Sequence, residues 1–228
     1  TTCRRQRQMC IRDSLRTRLS FYLAIKQLGG GAMTLRPDEL HLKKGGESIA
    51  DTAKILSTYG NGFMLRTDSN NKLEEFKKHI TIPIINGLSP SSHPTQILSD
   101  IFTIEEIKKK SISKMTICWI GDCNNVLNSL IAASVKFSFR LNIGCPKNYK
   151  PKFSVLNWVK KNKKKIYIFN DVKKAAKNAD VILTDKVVSM NDIVNKSKKI
   201  NDFKKFQVNS TVMNCAKKDA IFLHCLPR

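Results

Sequence analysis

The sequence predicts an α/β fold of two domains, each a three-layer sandwich with a parallel sheet between helices. Three observations carry that expectation. Short apolar runs of strand length alternate with longer segments of helical period along most of the chain. At 228 residues the chain accommodates two such domains, each of about 100–120 residues. The polar, chemistry-bearing motifs fall at the ends of the strand-like runs, where ligands bind in open parallel sheets.

In chain order, residues 1–13 show no helical or strand period and are rich in arginine. Met9–Ser14, MCIRDS, resembles the translation of a transposon-adapter end, so residues 1–13 are read as a non-native leader. The alternative is a disordered basic arm. A helix is expected over Arg16–Leu28, with Leu19, Leu23 and Leu28 as its apolar positions and Gly29-Gly30-Gly31 as its stop. Ala32–Leu35 reads as a short strand and Ser48–Tyr59 as a helix with Ile49, Ala53 and Leu56 on one face. Gly62–Leu65 is a buried strand, Asn71–His79 a polar helix and Ile82–Ile85 a strand. A long helix over His93–Lys110 carries Ile97, Ile101 and Ile104, and its basic end is a plausible hinge. The first domain is therefore placed at 14–110 and the second at 111–228.

The second half repeats the rhythm. Strands are expected at Met115–Ile120, Phe139–Ile143, Ile166–Phe169, Asp180–Thr184 and Ala220–Leu226. Helices are expected at Asn125–Phe137, Val155–Asn162, Val172–Lys177, Asp192–Asn201 and Thr211–Ala216.

The formal charge of +23 invites a nucleic-acid reading. The lysines, however, are dispersed as pairs and short runs on polar faces and in loops, and aromatic residues are not interleaved with them. A solvated lysine-rich surface, able to gather anionic substrate, is the better reading, with no nucleic-acid partner. No apolar run reaches the roughly 18–20 residues of a membrane span, and no signal-peptide pattern opens the chain. Seven cysteines without a C-x-x-C pair or a histidine at zinc spacing suggest free thiols in a reducing cytoplasm, with no metal and no cofactor.

Each motif has a bland reading beside the chemical one. Ser14-Leu15-Arg16-Thr17-Arg18 opens a helix and could cradle phosphate with guanidinium forks and free N–H groups, or be a cap with surface arginines. His93-Pro94-Thr95-Gln96 could polarise a carbonyl and hold an amide, or simply cap a helix. Gly121-Asp122-Cys123-Asn124-Asn125 lacks the spacing of a dinucleotide fingerprint; its asparagines could bind an amino-acid carboxylate or make the turn. Asp185, Ser189 and Met190 follow one strand, and His224-Cys225-Leu226-Pro227 closes the chain's last one. A nucleophilic Cys225 would need a base and a lowered pKa, and the sequence demonstrates neither.

Taken together and in this order, the segments SLRTRLSF, GESIADTAKILS, SSHPTQILSD, WIGDCNNVLNS, TDKVVSM and FLHCLP resemble the aspartate/ornithine carbamoyltransferase family. The resemblance runs from Ser14 to Arg228, and its last two segments look like the ornithine branch. It implies transfer of a carbamoyl group from carbamoyl phosphate to ornithine, without metal, in a homotrimer with shared sites. By matching position, Ser14, Arg16, Thr17 and Arg18 would hold the phosphate, and Arg66 would bridge phosphate and carbonyl oxygen. His93 would polarise the carbonyl; Gln96 and the backbone carbonyl of Leu226 would hold the carbamoyl amide; His41 would reach in from a neighbouring subunit. Asn125 would bind the ornithine carboxylate, Asp185, Ser189 and Met190 would surround its amino groups, and Cys225 would place the δ-amine without forming a covalent bond.

Departures from the family pattern qualify this reading. Leu15 replaces a frequent Thr, and Tyr22 replaces a Glu and would loosen a buried ion pair. Cys123 replaces a Gly whose turn is expected to need positive φ, and Lys186-Val187 replace Thr-Trp beside the ornithine loop. The resemblance also implies a missing first helix, a missing closing helix and a missing further substrate-binding Arg. On that reading the second domain is truncated and this stretch alone would have little activity. Alternatives are a carbamoyltransferase for a related amine (putrescine or a modified ornithine) and an inactive, basic, carbamoyltransferase-like binding module.

Overall fold

The structure is a computed structural model, and it describes residues 7–11 (backbone only), 15–35, 46–187 and 196–225. The chain forms two compact units, divided between Thr95 and Gln96.

The first unit contains β1 (Arg7–Ile11), α1 (Leu15–Gln27), β2 (Gly31–Ala32), α2 (Ile49–Tyr59), β3 (Gly62–Arg66), α3 (Asn70–His79) and β4 (Ile84–Leu88). All four strands are parallel, in the order β2-β1-β3-β4. Alternate residues of β3 serve opposite faces. Phe63 and Leu65 pack with Ala53 and Leu56 of α2 and Phe76 of α3, while Met64 lines a small void with Phe21, Tyr22 and Ile25 of α1. Ser48 and Ser69 cap α2 and α3 by accepting the N–H groups of Asp51 and Lys72.

Two expectations change here. The segment read as lacking any element contains β1, which pairs Gln8 with Gly62 and Ile11 with Leu65. Parallel pairing is made by main-chain groups, so Arg7–Ile11 fills the place between β2 and β3 although its apolar run is only the three residues Met9-Cys10-Ile11. On α1, Leu19, Leu23 and Leu28 are exposed, while Thr17, Arg18, Phe21 and Ile25 form the partly buried face. The expected apolar stripe therefore lies on the wrong side of the helix. Tyr22 carries Lys26 Nζ 5.8 Å above its ring.

The second unit begins within α4 (Pro94–Lys108) and continues through β5 (Thr116–Ile120), α5 (Asn125–Lys136), β6 (Arg140–Gly144), α6 (Phe153–Lys161), β7 (Tyr167–Phe169), α7 (Val172–Ala176), β8 (Val181–Thr184), α8 (Lys196–Phe203), α9 (Ser210–Met213) and β9 (Ile221–His224). Its five parallel strands run β7-β6-β5-β8-β9. Ile117 and Trp119 of β5 face a core shared with α4 and α5. Cys118 and Ile120 face the opposite layer, with Ala175 and Ala176 of α7 and Val212 of α9. These are three layers, as the alternation of elements predicts. The compact units part at residue 95, whereas the sequence reading parts the domains at residue 110. The difference is α4: its Ile97, Ile101 and Ile104 are buried with Leu127, Leu130 and Ile131 of α5. Burial of each such side chain contributes about 1.5–3 kcal/mol.

At the N-terminal edge of this sheet, Asp180 is 4% exposed and accepts the Thr116 N–H at 2.8 Å and Lys217 Nζ at 2.7 Å. Burial alone would raise its pKa, but the Lys217 bond, the Thr116 N–H and the charges of Lys217 and Lys110 outweigh it and hold the carboxyl below its ordinary value. The stability it contributes is therefore present above the ordinary aspartate pKa and lost as pH falls through the lowered one. Asp180→Ala is expected to destabilise the second unit by about 3 kcal/mol, because it strands a buried N–H and removes a paired charge. Urea unfolding at about pH 7 and pH 3 checks this: a cost that is not smaller at the lower pH would contradict the linkage.

Every described lysine is exposed except Lys108 and Lys199, each of which makes an ion pair. Among the described residues, no helix is long and apolar enough to cross a membrane. The described cysteines (118, 123, 145, 215 and 225) are free thiols.

Candidate functional site

In the first sheet the chain leaves β1 toward β2 and then crosses to β3 on the other side. That reversal opens a crevice at the carboxyl ends of β1 and β3. The first turn of α1, with Arg16, Thr17 and Arg18, follows β1. A helix N-terminus directs N–H groups and the positive end of its dipole outward, which favours an anion. Arg66 ends β3, where the pairing register with β4 slips between Leu65 and Arg66. Arg66 Nη1 donates to Thr17 Oγ1 at 2.8 Å, tying the strand end to the helix start. Arg18 Nε is buried and meets no acceptor among the described residues. A buried donor left in that state costs about 1–3 kcal/mol, and an anion would relieve it.

β4 begins at Ile84, two residues after its expected start at Ile82, and ends at Leu88 rather than Ile85. Gly87 makes this possible, since a Cβ there would collide with the Met64 side chain. The following turn is a knot of hydroxyls: Asn86 Nδ2 donates to Ser92 Oγ at 2.9 Å and Ser89 Oγ at 3.2 Å, and Ser91 Oγ donates to Asn70 Oδ1 at 2.9 Å. This knot delivers His93, whose Nδ1 lies 3.3 Å from Thr95 Oγ1. With the Thr95 hydroxyl donating to Nδ1, the ring proton sits on Nε2 and makes that atom a donor.

In the second sheet the reversal falls between β5 and β8. Gly121 closes β5 at φ +144°, and a Cβ there would lie 3.3 Å from Thr184 Oγ1. Positive φ thus belongs to Gly121; Cys123 is not among the positive-φ residues, which corrects the expectation for this turn. Asn124 caps α5, its Oδ1 accepting from Val126 N at 3.0 Å and Leu127 N at 3.1 Å. The same side chain donates through Nδ2 to Asp185 Oδ2 at 2.7 Å. Asp185 Oδ1 accepts from Lys186 N at 2.7 Å and from Cys225 Sγ at 3.0 Å. Asn125 is the first residue of α5.

Cys225 is a donor in this arrangement. Burial pushes its pKa up to about 11, and the bond to Asp185 and that residue's charge add to the effect. A thiol so placed stays protonated at neutral pH, which removes the basis for a nucleophilic role.

Of the residues singled out in the sequence, Arg16, Thr17, Arg18, Arg66 and His93 belong to the first unit, and Gln96, Asn125, Asp185 and Cys225 to the second. Ser14, His41, Ser189, Met190 and Leu226 lie outside the described residues. Sequence reasoning missed three partners. Asn124 holds Asp185, and the doubled asparagine was its signal, because one residue at a strand–helix turn must cap. Lys199 pairs with Asp122 at 2.7 Å, both side chains mostly buried, and gave no local signal. Asp100 accepts from Gln96 Nε2 at 2.9 Å; its sign was the four-residue spacing on a helix.

Residues 9–106 match the carbamoyl-phosphate-binding domain, and residues 113–228 the Asp/Orn-binding domain, of aspartate/ornithine carbamoyltransferases. The chain is 43% identical over 217 residues to an ornithine carbamoyltransferase of Syntrophus aciditrophicus, covering 95% of this chain and 71% of that protein. It is 41% identical over 216 residues to the ornithine carbamoyltransferase of Agrobacterium fabrum, covering 95% of this chain and 70% of that one. The structure superposes on an anabolic ornithine carbamoyltransferase from Campylobacter jejuni with a TM-score of 0.89 at 36% identity, covering 99% of this chain and 76% of that one. The Pyrococcus furiosus ornithine carbamoyltransferase gives a TM-score of 0.88 at 38% identity, covering 98% and 72%.

Proposed function

The chain belongs to the aspartate/ornithine carbamoyltransferase family, and from that membership we propose that its protein carbamoylates the δ-amine of ornithine with carbamoyl phosphate, giving citrulline and phosphate. The observation that carries the ornithine assignment is Asp185, fixed at the β5–β8 crevice by Asn124, Lys186 N and Cys225. It offers a preoriented carboxylate to an amine substrate.

Ser14, Arg16, Thr17 and Arg18 would hold the phosphate, which supplies the acceptor that the buried Arg18 Nε lacks. Arg66 would span phosphate and carbonyl oxygen, and His93 Nε2 would donate to that oxygen. Gln96 and the Leu226 carbonyl would hold the carbamoyl amide. Asn125 would take the ornithine carboxylate, with Asp185, Ser189 and Met190 around its amines and Cys225 steering the δ-amine. The neutral δ-amine attacks the carbonyl carbon, negative charge develops on the carbonyl oxygen, the C–O bond to phosphate breaks, and the proton lost from the δ-nitrogen leaves on the departing phosphate. Donors held in place at that oxygen, Arg66 and His93 on this reading, would need no reorganisation as charge develops. The same reading assigns a homotrimer, with His41 reaching a neighbouring subunit's site, and a cytoplasmic location is part of the proposal.

The test is citrulline formation by the full-length protein encoded by the source gene, with ornithine and putrescine compared as acceptors. Turnover is expected with ornithine, and kcat/KM at least about 100-fold lower with putrescine, which has no carboxylate to meet Asn125. A folded protein that forms no citrulline but carbamoylates putrescine would overturn the assignment.

A further inference from the structure

A glutamine side chain can meet a ligand oxygen-first or nitrogen-first, and the two are nearly the same shape. Only the first suits a carbamoyl NH2 group, which donates hydrogen bonds. We propose that Asp100 is a positioning residue that holds the Gln96 amide with its oxygen toward the carbamoyl NH2, an inference that rests on the carbamoyl-transfer reading. Gln96 and Asp100 lie one turn apart on α4, and Gln96 Nε2 donates to Asp100 Oδ1 at 2.9 Å. An ionised carboxylate accepts and never donates. Turning the amide over would set Gln96 Oε1 against a carboxylate oxygen and exchange a charge-assisted bond for a repulsion. The buried Ile97, Ile101 and Ile104 fix the helix that carries both residues, so the pair sits on a rigid element.

The surroundings of Asp100 set the conditions. Burial pushes its pKa up to about 6, opposed by the Gln96 bond and reinforced by the negative charge of Asp185, the charged group that acts on it from another element. Below about pH 6 the neutral carboxyl can donate as well as accept, so either Gln96 orientation is satisfied and the selection relaxes. Because the folded-state pKa is raised, this group favours the folded state as pH falls through about 6 and opposes it when ionised. A carboxylate kept for structure alone would be better replaced by its amide; one kept to orient Gln96 would not.

Asp100→Asn in the full-length enzyme separates these roles, since an amide of the same shape donates and accepts at every pH. KM for carbamoyl phosphate is expected to rise about 10-fold at about pH 8, the worth of one charge-assisted bond, with KM for ornithine unchanged and the melting midpoint equal or higher. The unsubstituted enzyme is expected to show a rise in KM between about pH 7.5 and 5.5 that shrinks in the variant; ionisation of carbamoyl phosphate itself affects both proteins alike. In a Gln96→Ala background, Asp100→Asn should add nothing. An unchanged KM, an undiminished pH dependence, a lowered melting midpoint, or a further effect without Gln96 would each overturn the inference. Absence of citrulline formation by the unsubstituted enzyme would instead remove the carbamoyl-transfer reading, and this inference with it.

Discussion

Arg66→Leu is expected to lower kcat/KM for carbamoyl phosphate by about 10³-fold or more, with kcat falling as well as affinity. Two losses combine. A guanidinium binds phosphate through parallel N–H groups, and each charge-assisted bond is worth about 1.5–3 kcal/mol. Removing one preorganised donor from a developing oxyanion costs a further factor of about 10²–10³ in kcat. Lysine would keep the charge but not the fork, so Arg66→Lys should recover only part of the loss. The competing view is that Arg66 merely anchors α1 through its 2.8 Å bond to Thr17. In that case Thr17→Val, which deletes the acceptor and leaves the guanidinium, would reproduce the whole effect, whereas loss of Thr17's own phosphate contact alone should cost only about tenfold. Steady-state kinetics on the three variants decide, and an Arg66→Leu enzyme within about tenfold of the parent would dismiss the proposed role.

The parts of this fold legible in the sequence are those where side chains carry the instruction. Phe63 and Leu65, and Ile117 and Trp119, are buried within the apolar runs read as strands, and Ile97, Ile101 and Ile104 are buried at the helical spacing read for them. What was illegible is specified by the backbone or by distant partners. β1 is held by main-chain pairing with β2 and β3, and its sequence carries no apolar period. On α1 the leucines suggested one face, but Phe21 and Ile25 set another, the one that also presents Thr17 and Arg18. β4 runs on through Asn86-Gly87 because a residue without a Cβ can pass Met64; read alone, the same pair signals a turn.

The site divides in the same way. Arg66, Asp185 and Cys225 stand at strand ends and His93 at a helix start, where the alternation of elements directs attention. The roles of Asn124, Lys199 and Asp100 depend on partners in space. Asn124 reaches Asp185 across 61 positions, and Lys199 reaches Asp122 across 77. Cys123 departs from the family pattern, but at a position where the turn asks for no positive φ. The glycine that turn requires is Gly121, which the chain retains.

Asp185→Asn should lower kcat/KM for ornithine by about 10³-fold while leaving KM for carbamoyl phosphate within about twofold, because the lost charge and the stranded donor each cost about 1.5–3 kcal/mol. The carboxylate now accepts from three donors: Asn124 Nδ2 on one oxygen, Lys186 N and Cys225 Sγ on the other. An amide has one acceptor end. Whichever way it turns, its NH2 faces donors, and Asn124 or the Lys186–Cys225 pair loses its partner. The substrate amine also loses a negative charge. A second readout does not depend on turnover. Burial and the Asp185 bond and charge together hold the Cys225 pKa at about 11; the substitution removes the latter two and leaves burial, so the pKa must fall. At about pH 9 more thiolate is then present, and alkylation of Cys225 by iodoacetamide should quicken severalfold in the variant. Loss of ornithine turnover without faster alkylation would mean that Asp185 does not hold the thiol as the geometry indicates. Faster alkylation with turnover intact would leave Asp185 as a clamp for Cys225 alone, and the amine would have to find its carboxylate elsewhere.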